Sequence, residues 1–351
     1  MSENTRNIPA SALKCFVTEL FTAGGMQPDD AKFFAQTIVQ SNLWGIDSHG
    51  IIRVPVYFDR ILCKAINPNA NIQVEKLAPA VSIVDGDGGA GCVVAKRAME
   101  QAIENAKNFG IGAVGVTNSN HFGAAALYSK MAIDAGMVGI SMTNVLPLIA
   151  APGAKAPVVG NNPLSIGIPT YNEFPFLLDM SLSVVAGGKL HLAAAKGNKI
   201  PLDWAVDKNG RPTDDPKEAL AGFLLPMGGY KGLGLAYAVD ILSGVITGGL
   251  FADKMRSMYK QPTDPSLTGH MMIALNLSAF ITPEQMKERM EYYHNYITGI
   301  PMADGAAPLC FPGEIEHNRE LERAEIGIPV PLSTLETLAR LKETYHLVTE
   351  L

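Results

Sequence analysis

The sequence predicts an α/β protein in which a strand-rich centre is flanked by helices from both ends of the chain. Residues 11–43 carry apolar side chains at helical spacing, and from Val81 the pattern changes to short apolar runs separated by glycine. Capping-box patterns then reappear near the C-terminus, so helices return there.

The first helix is expected from Ser11 to Ala23, with Leu13, Phe16, Leu20 and Phe21 apolar. The second is expected from Pro28 to Leu43, with Ala31, Phe34, Ile38 and Leu43. Pro28 suits a first turn, and Asp29 and Asp30 favour the positive end of a helix dipole. Gly45 ends this layer. Strands are expected at Val81–Val84, Ala113–Val116, Val138–Met142, Leu164–Ile168 and Phe176–Leu178, with a long helix, Cys92–Phe109, between the first two. The division read from this is a helical segment over 1–77 and an α/β domain over 78–250. A mixed segment, 251–351, follows, and its last helices rejoin the helical layer.

Lys196–Leu220 is polar and turn-rich, with a loop tip at Lys208-Asn209-Gly210, and reads as a cover over a site. Leu233–Thr247, apolar or small on most faces, predicts a buried helix. Thr282 with Gln285, and Ser333 with Glu336, each predict a capped helix start.

With 47% hydrophobic and 18% charged residues in 351, the chain is globular and long enough for two domains. A net charge of -6 without a Lys/Arg run argues against nucleic acid as a partner. Met1–Pro9 is polar, and the longest apolar stretch, Met137–Gly160, is broken by Pro147, Pro152, Lys155 and Pro157. No secretory signal, no membrane span and a cytoplasmic protein are therefore expected. Cys15, Cys63, Cys92 and Cys310 are scattered, which predicts reduced, mostly buried thiols. No H-E-x-x-H, C-x-x-C or G-x-S-x-G pattern occurs and no histidines pair at ligand spacing, so no metal is expected.

Gly86-Asp87-Gly88-Gly89-Ala90-Gly91 fits the G-x-G-x-x-G dinucleotide fingerprint, after a strand and before a helix. The next strand, however, ends in Val116-Thr117-Asn118-Ser119, where the fingerprint requires an acid for the ribose hydroxyl. The glycines are therefore read as a tight strand-to-helix turn.

Two segments look chemical. Asp47-Ser48-His49-Gly50 leads to Arg53 and Tyr57, and in a helix His49, Arg53 and Tyr57 share one face. Arginine can hold a carboxylate through two parallel hydrogen bonds while histidine exchanges a proton near neutral pH, as reduction of a 2-oxo acid requires. On its own the segment reads first as a helix entry with Ser48 as cap, His49 partly buried and Arg53 in a surface ion pair. Asn118-Ser119-Asn120-His121-Phe122-Gly123 lies past a strand end, where His121 is either a second acid/base or a structural cap. Polar loops also follow strands at Thr143-Asn144 and Gly160-Asn161-Asn162-Pro163. Gly228-Gly229-Tyr230-Lys231-Gly232 precedes a helix and suits a phosphate or ribose contact, or a plain helix-start turn.

Taken together, Ser48-His49-Gly50 with Arg53, Asn120-His121-Phe122-Gly123, Asn162-Pro163-Leu164, Leu178-Asp179-Met180-Ser181, Leu225–Gly232 and Phe311-Pro312-Gly313-Glu314 resemble, in order and over nearly the whole chain, the type 2 malate/L-lactate dehydrogenases. The resemblance implies a helical domain built from both chain termini and a central mixed-sheet, non-Rossmann domain binding NAD or NADP. It also implies a homodimer or higher oligomer with active sites between subunits. By position, Val145, Leu178, Asp179, Met180, Tyr230, Lys231, Gly313, Glu314 and Ile315 resemble cofactor contacts. Ser48, His49 and His121 resemble the catalytic set, with Arg53 and Tyr57 at the substrate. The proton-transferring histidine resembles His49 in the family's diketogulonate reductase and His121 in its ureidoglycolate dehydrogenase. The cyclic-imine reductases carry an aspartate where this chain has Lys189, which weakens that alternative, and Asp203–Gly210 is similar to ureidoglycolate dehydrogenase. The implied activity is hydride exchange between a nicotinamide and a small 2-hydroxy or 2-oxo carboxylate such as malate, lactate or ureidoglycolate. A non-redox lyase using both histidines and a non-catalytic binding relative are the alternatives from other classes.

Overall fold

The computed structural model describes residues 4–351, so the first three residues of Met1–Pro9 lie outside the described residues. From the N-terminus, β1 (Thr5–Ile8) leads into α1 (Ala10–Ala23), α2 (Pro28–Leu43) and α3 (Val54–Leu62). Strands β2 (Gln73–Ala78) and β3 (Val81–Asp85) precede α4 (Gly91–Phe109), β4 (Ile111–Ser119), α5 (Ala126–Asp134) and β5 (Met137–Thr143). Then come β6 (Ile149–Ala150), β7 (Pro157–Val159), β8 (Leu164–Ile168), β9 (Phe176–Met180), α6 (Gly187–Lys196), β10 (Ala205–Val206), α7 (Pro216–Ala221), β11 (Phe223–Leu224) and α8 (Tyr230–Asp240). The chain closes with β12 (Thr268–Asn276), α9 (Pro283–Thr298), α10 (Glu314–Ile326), β13 (Ile328–Pro331) and α11 (Leu332–Tyr345).

The two chain ends do build one helical layer. β1 pairs antiparallel with β13, and Leu13, Phe16, Leu20, Phe34, Ile38 and Phe58 share a core with Ile328, Val330, Leu335 and Leu338. The main sheet has the order β2-β3-β4-β12-β5-β8-β9. Only β3 and β4 run parallel; the other neighbours are antiparallel. This mixed sheet has no doubly wound half, which fits the rejection of the glycine fingerprint.

The central strand, β12, comes from outside the 78–250 span read as the α/β domain, as does β2 on the edge. Strand period explains how β12 serves two cores. Met272 and Ala274 face α4 and α5, while Met271 and Ile273 face the opposite cluster around α8. A second small sheet, β10-β11-β6-β7, carries part of the turn-rich segment and the loop tip at Gly210.

Several expectations are corrected. α8 runs on through a wide turn at Ile241–Val245, and one side is open: Tyr237, Ile241, Val245 and Ile246 are exposed, the last at 61%. Small residues at Gly232, Ala236 and Gly244 seat only its inner side. The Thr282/Gln285 capping box forms, but Ser333 lies inside α11, whose start is set by Pro331, so its box does not form. Cys92 alone is buried; Cys15, Cys63 and Cys310 are exposed, because they sit on an outer helix face, at a helix end and in a surface segment. Among the described residues no helix is long and apolar enough to cross a membrane.

Candidate active site

The Ser48–His49 turn is shaped by α2. Gly45, at φ 79, turns the chain, and two short 3-10 turns, Asp47–His49 and Ile51–Arg53, lead into α3. The predicted continuous helix is therefore broken at Gly50. A Cβ there would lie 2.2 Å from Asn42 Oδ1, and that oxygen accepts the Ile51 N–H at 2.7 Å. The predicted convergence is nonetheless found. Ser48 Oγ is 2.9 Å from His49 Nδ1, Arg53 Nε donates to the Ser48 carbonyl at 2.6 Å, and Tyr57 Oη is 2.6 Å from His121 Nδ1. The His49 and His121 rings lie nearly parallel, centroids 5.6 Å apart.

His121 owes its place to Asn120 and to two groups that sequence reading did not single out, Arg60 and His270. Asn120, just before it, is buried; its amide donates to the carbonyls of Gly88 and Gly89, and its oxygen accepts from Arg60 and Ser266. The buried Arg60 guanidinium also donates to the Pro262 and Asp264 carbonyls. His270, at the start of the central strand, bridges Ser119 Oγ at 2.8 Å and Thr143 Oγ1 at 2.7 Å, and Phe122 stacks on it at 4.6 Å. With both ring nitrogens taken, His270 braces the strand ends. The only sequence signal for it was a lone histidine opening the apolar run Met271–Leu275.

Burial, reinforced by the Arg53 cation, pushes His49 down to about 4. Burial likewise holds His121 well below its usual value, with His49 and Arg53 adding to the effect, and it holds His270 near 3. Tyr57 is pushed up by burial and keeps its proton. The Gly123 amide, 3.4 Å from His121 Nδ1, can only donate, so the neutral His121 ring carries its proton on Nε2.

The cofactor candidates gather along β9, the edge strand carrying Leu178, Asp179 and Met180. The turn into α10 lies against it: Leu177 N–H donates to the Pro312 carbonyl at 3.1 Å, and a Cβ on Gly313 would lie 2.4 Å from the Pro175 carbonyl. Glu314 accepts from the Phe311 N–H, and Ile315 is exposed. Asp179 accepts from Ala126 N–H at the start of α5; burial raises it to about 6, and Glu316 pushes the same way. Beyond β9, Leu182 and Ser183 tie to Met227 and Pro226, which brings in the turn before α8 with Tyr230, 74% exposed, and Lys231. Val145 N–H donates to Asn162 Oδ1, just before Leu164, the partner of Met180 across the strands. Trp44, Ala126 and Leu177 pack together with Ile46, so β9 and the Ser48–His49 turn share one wall. The polar loops at Asn144 and Asn162 are internal brackets, bonded to Asp240 and to the Ala236 carbonyl.

The family model for malate/L-lactate dehydrogenase matches residues 8–339. This chain belongs to that family. It is 38% identical over 334 residues, 95% of this chain and 96% of the other, to a malate/(S)-sulfolactate dehydrogenase of Methanothermus fervidus. It is 37% identical over 346 residues, 96% and 94% of the two chains, to a malate dehydrogenase of Pyrococcus abyssi. The crystal structure of malate dehydrogenase from Entamoeba histolytica superposes with a TM-score of 0.93 at 30% identity, covering 99% and 100% of the two chains. Members of this malate/L-lactate dehydrogenase family are oxidoreductases, which sets aside the lyase and non-catalytic alternatives.

The dehydrogenase's residues fit a dinucleotide. Gly228 and Gly229, at φ 60 and 67, have open space where a Cβ would be, directly before the positive end of α8. His294, whose Nε2 is buried without a partner, lines a cavity of about 340 Å³ with Phe174 and Phe311, next to Gly313. His317, one turn into α10, has a buried Nε2 without a hydrogen bond, 3.8 Å from the Glu173 carboxylate. A nicotinamide bound here would supply a hydride donor or acceptor, and the chain's own groups would bind, orient and move the proton.

Proposed function

We propose that the protein is an NAD- or NADP-dependent 2-hydroxyacid dehydrogenase, with malate or a similar small 2-hydroxy acid as substrate. One observation carries the reading: a guanidinium, Arg53, stands beside two stacked, neutral imidazoles, on a turn whose neighbours Trp44 and Ile46 pack against Leu177 of β9. Arg53 anchors the carboxylate. His121, with its proton on Nε2, holds the substrate's 2-oxygen, and His49, with Ser48 at its Nδ1, exchanges the hydroxyl proton. Tyr57, fully buried, acts on the substrate by orienting His121. Leu178–Met180, Gly313–Ile315, Tyr230, Lys231 and Val145 line the cofactor. The open apolar face of α8 supports a homodimer or higher homo-oligomer, which sedimentation of the purified protein tests.

The deciding experiment follows nicotinamide absorbance with NADH and NADPH separately against 2-oxo acids, and with NAD and NADP against malate, lactate, sulfolactate and ureidoglycolate. Turnover with one pair fixes cofactor and substrate; no turnover and no nucleotide binding sinks the reading. Replacing Arg53 by Lys is expected to raise KM for the carboxylate roughly tenfold or more, because a point charge cannot reproduce the fork. Wild-type KM in that variant would remove Arg53 as anchor. Because His49 titrates near 4, hydroxyacid oxidation by the free enzyme is expected to keep its kcat/KM down to about pH 5, below where an ordinary histidine is half protonated. An acidic limb at the ordinary value of 6.5 would remove the buried histidine as base.

A further inference from the structure

The Ser48–His49 turn is held from a distant part of the sequence. Arg323, in the last turn of α10 and 8% exposed, grips Asp47 with both arms of its guanidinium, Nη1 to Oδ1 at 2.6 Å and Nη2 to Oδ2 at 3.0 Å. The same Nη1 donates to the Asn42 carbonyl. Asn42 itself donates to Asp47 Oδ1 at 2.6 Å and accepts from Ile51 N–H, so the residues on either side of Ser48, His49 and Gly50 are both pinned to the end of α2. Two further contacts run along the same helix: Trp44 Nε1 donates to Glu320 Oε2 at 2.8 Å, and the Arg319 methylenes cover Gly45.

The other end of α10 is the turn at Gly313, seated on β9. From Glu314 to Arg323 the helix spans about 13 Å, at 1.5 Å per residue. One helix therefore carries cofactor candidates in its first turn and the anchor of the catalytic turn in its last, with Glu320 between.

We propose that Arg323 and Asp47 are positioning residues that set His49, and that α10 is the strut through which an occupied cofactor groove fixes the catalytic turn for the carboxylate. The inference rests on the cofactor reading of Gly313–Ile315. It follows that substrate and cofactor bind cooperatively, each paying once for the same ordering of α10 and the turn. Breaking the fork uncouples them without touching either binding surface.

The test is fluorescence titration of the full-length protein with NADH and with NADPH, each with and without oxalate as a 2-oxo acid mimic. It is run on wild type, Asp47→Asn and Arg323→Lys, with folding checked by thermal unfolding. In wild type, oxalate is expected to tighten nucleotide binding about fivefold or more, within the usual range of coupling between sites. In the variants the nucleotide Kd alone stays within about twofold of wild type, the tightening by oxalate falls below about twofold, and the pH dependence of oxalate binding shifts upward as His49 leaves its buried place. A structural brace alone would move neither the coupling nor the pH profile. Folded variants that keep both at wild-type values overturn the inference. So does a wild type that binds nucleotide with no tightening, which leaves the cofactor reading standing. A wild type that binds neither nucleotide overturns the cofactor reading and this inference with it. If both variants fail to fold, Glu320→Gln weakens the strut at its partly exposed middle; a lowered coupling supports the inference, and an unchanged one overturns it.

Discussion

Two glycine-rich turns open helices in this protein, and they differ in the room left around their backbones. In the first, before α4, the N–H groups of Gly86, Asp87, Gly88 and Gly89 donate to Thr117 O, Asp85 Oδ1, Asn118 O and Gly86 O, and the side chain of Asn120 plugs the turn from within. In the second, before α8, the Gly229 N–H donates to the Pro226 carbonyl, but Gly228 and Gly229 face open space and the next two side chains, Tyr230 and Lys231, are exposed. The first spells the fingerprint, and the N–H groups of its four leading residues are taken within the protein. The second does not spell it, yet it has the space and the helix end that a pyrophosphate needs. An anion site needs room beside a helix start, and glycine spacing does not report it.

The largest effect expected from this comparison is at Gly91. A Cβ there would lie 2.2 Å from the Asn120 carbonyl and 2.4 Å from that of His121, both backbone atoms with nowhere to go. Gly91→Ala is expected to lower stability on urea unfolding by roughly 3 kcal/mol or more, and to abolish activity by displacing His121. A variant as stable as wild type would show that this turn has spare room and is open to a ligand after all.

Gly229→Ala should behave in the opposite way. Nothing lies within 4 Å of the added Cβ, so the cost comes from the backbone alone, whose φ 67 and ψ -133 few residues but glycine adopt, about 2 kcal/mol. Nucleotide affinity is expected to fall about tenfold, since 1.4 kcal/mol of lost contact is a factor of ten. Lys231→Met should leave stability within about 0.5 kcal/mol, lower nucleotide affinity several-fold, and flatten its salt dependence. If either variant bound NADH as wild type does, the open turn would lose its claim to the phosphates.

The same contrast explains what the sequence disclosed. Local signals were readable: Pro28 starts α2, Leu164–Ile168 is β8 as expected, and the Thr282–Gln285 box forms. Ser48, His49, Arg53, Tyr57 and His121 do come together, although by way of two 3-10 turns. What stayed hidden depends on partners far along the chain. Arg60 finds Pro262 and Asp264, Arg323 finds Asp47, and β12 inserts between β4 and β5 after a turn-rich stretch that gives no hint of a central strand. Periodicity reads one element at a time, whereas these contacts belong to pairs of elements. The open face of α8 escaped for a related reason, because an apolar residue carries no mark of whether its neighbour is this chain or another.

The smallest expected effect concerns Asp179, the acid proposed to serve the second turn. β4, the strand after the first turn and its helix, ends without an acid at Ser119, while Asp179, late in β9, has its carboxyl raised to about 6 by burial, Glu316 adding to the rise. Its ordinary value is 3.8, so between pH 3.8 and about 6 the folded form keeps a proton that the unfolded chain has released. Stability contributed by this group therefore falls as pH rises through that window and stays lowered above it. Asn cannot ionise, yet its oxygen can still accept from Ala126 N–H. Asp179→Asn is thus expected to stabilise the ligand-free protein at pH 8 by about 1 kcal/mol, discounted for the carboxyl's partial exposure, or on the order of 2 °C in Tm, with no difference below about pH 4. NADH should reverse the order at pH 8, because the wild-type carboxylate then gains a ribose hydroxyl that the amide holds less strongly. A variant less stable than wild type at pH 8 without nucleotide would mean that Asp179 is stabilised as an anion by the start of α5. It would then be a structural cap, and the open turn would have to find its acid elsewhere.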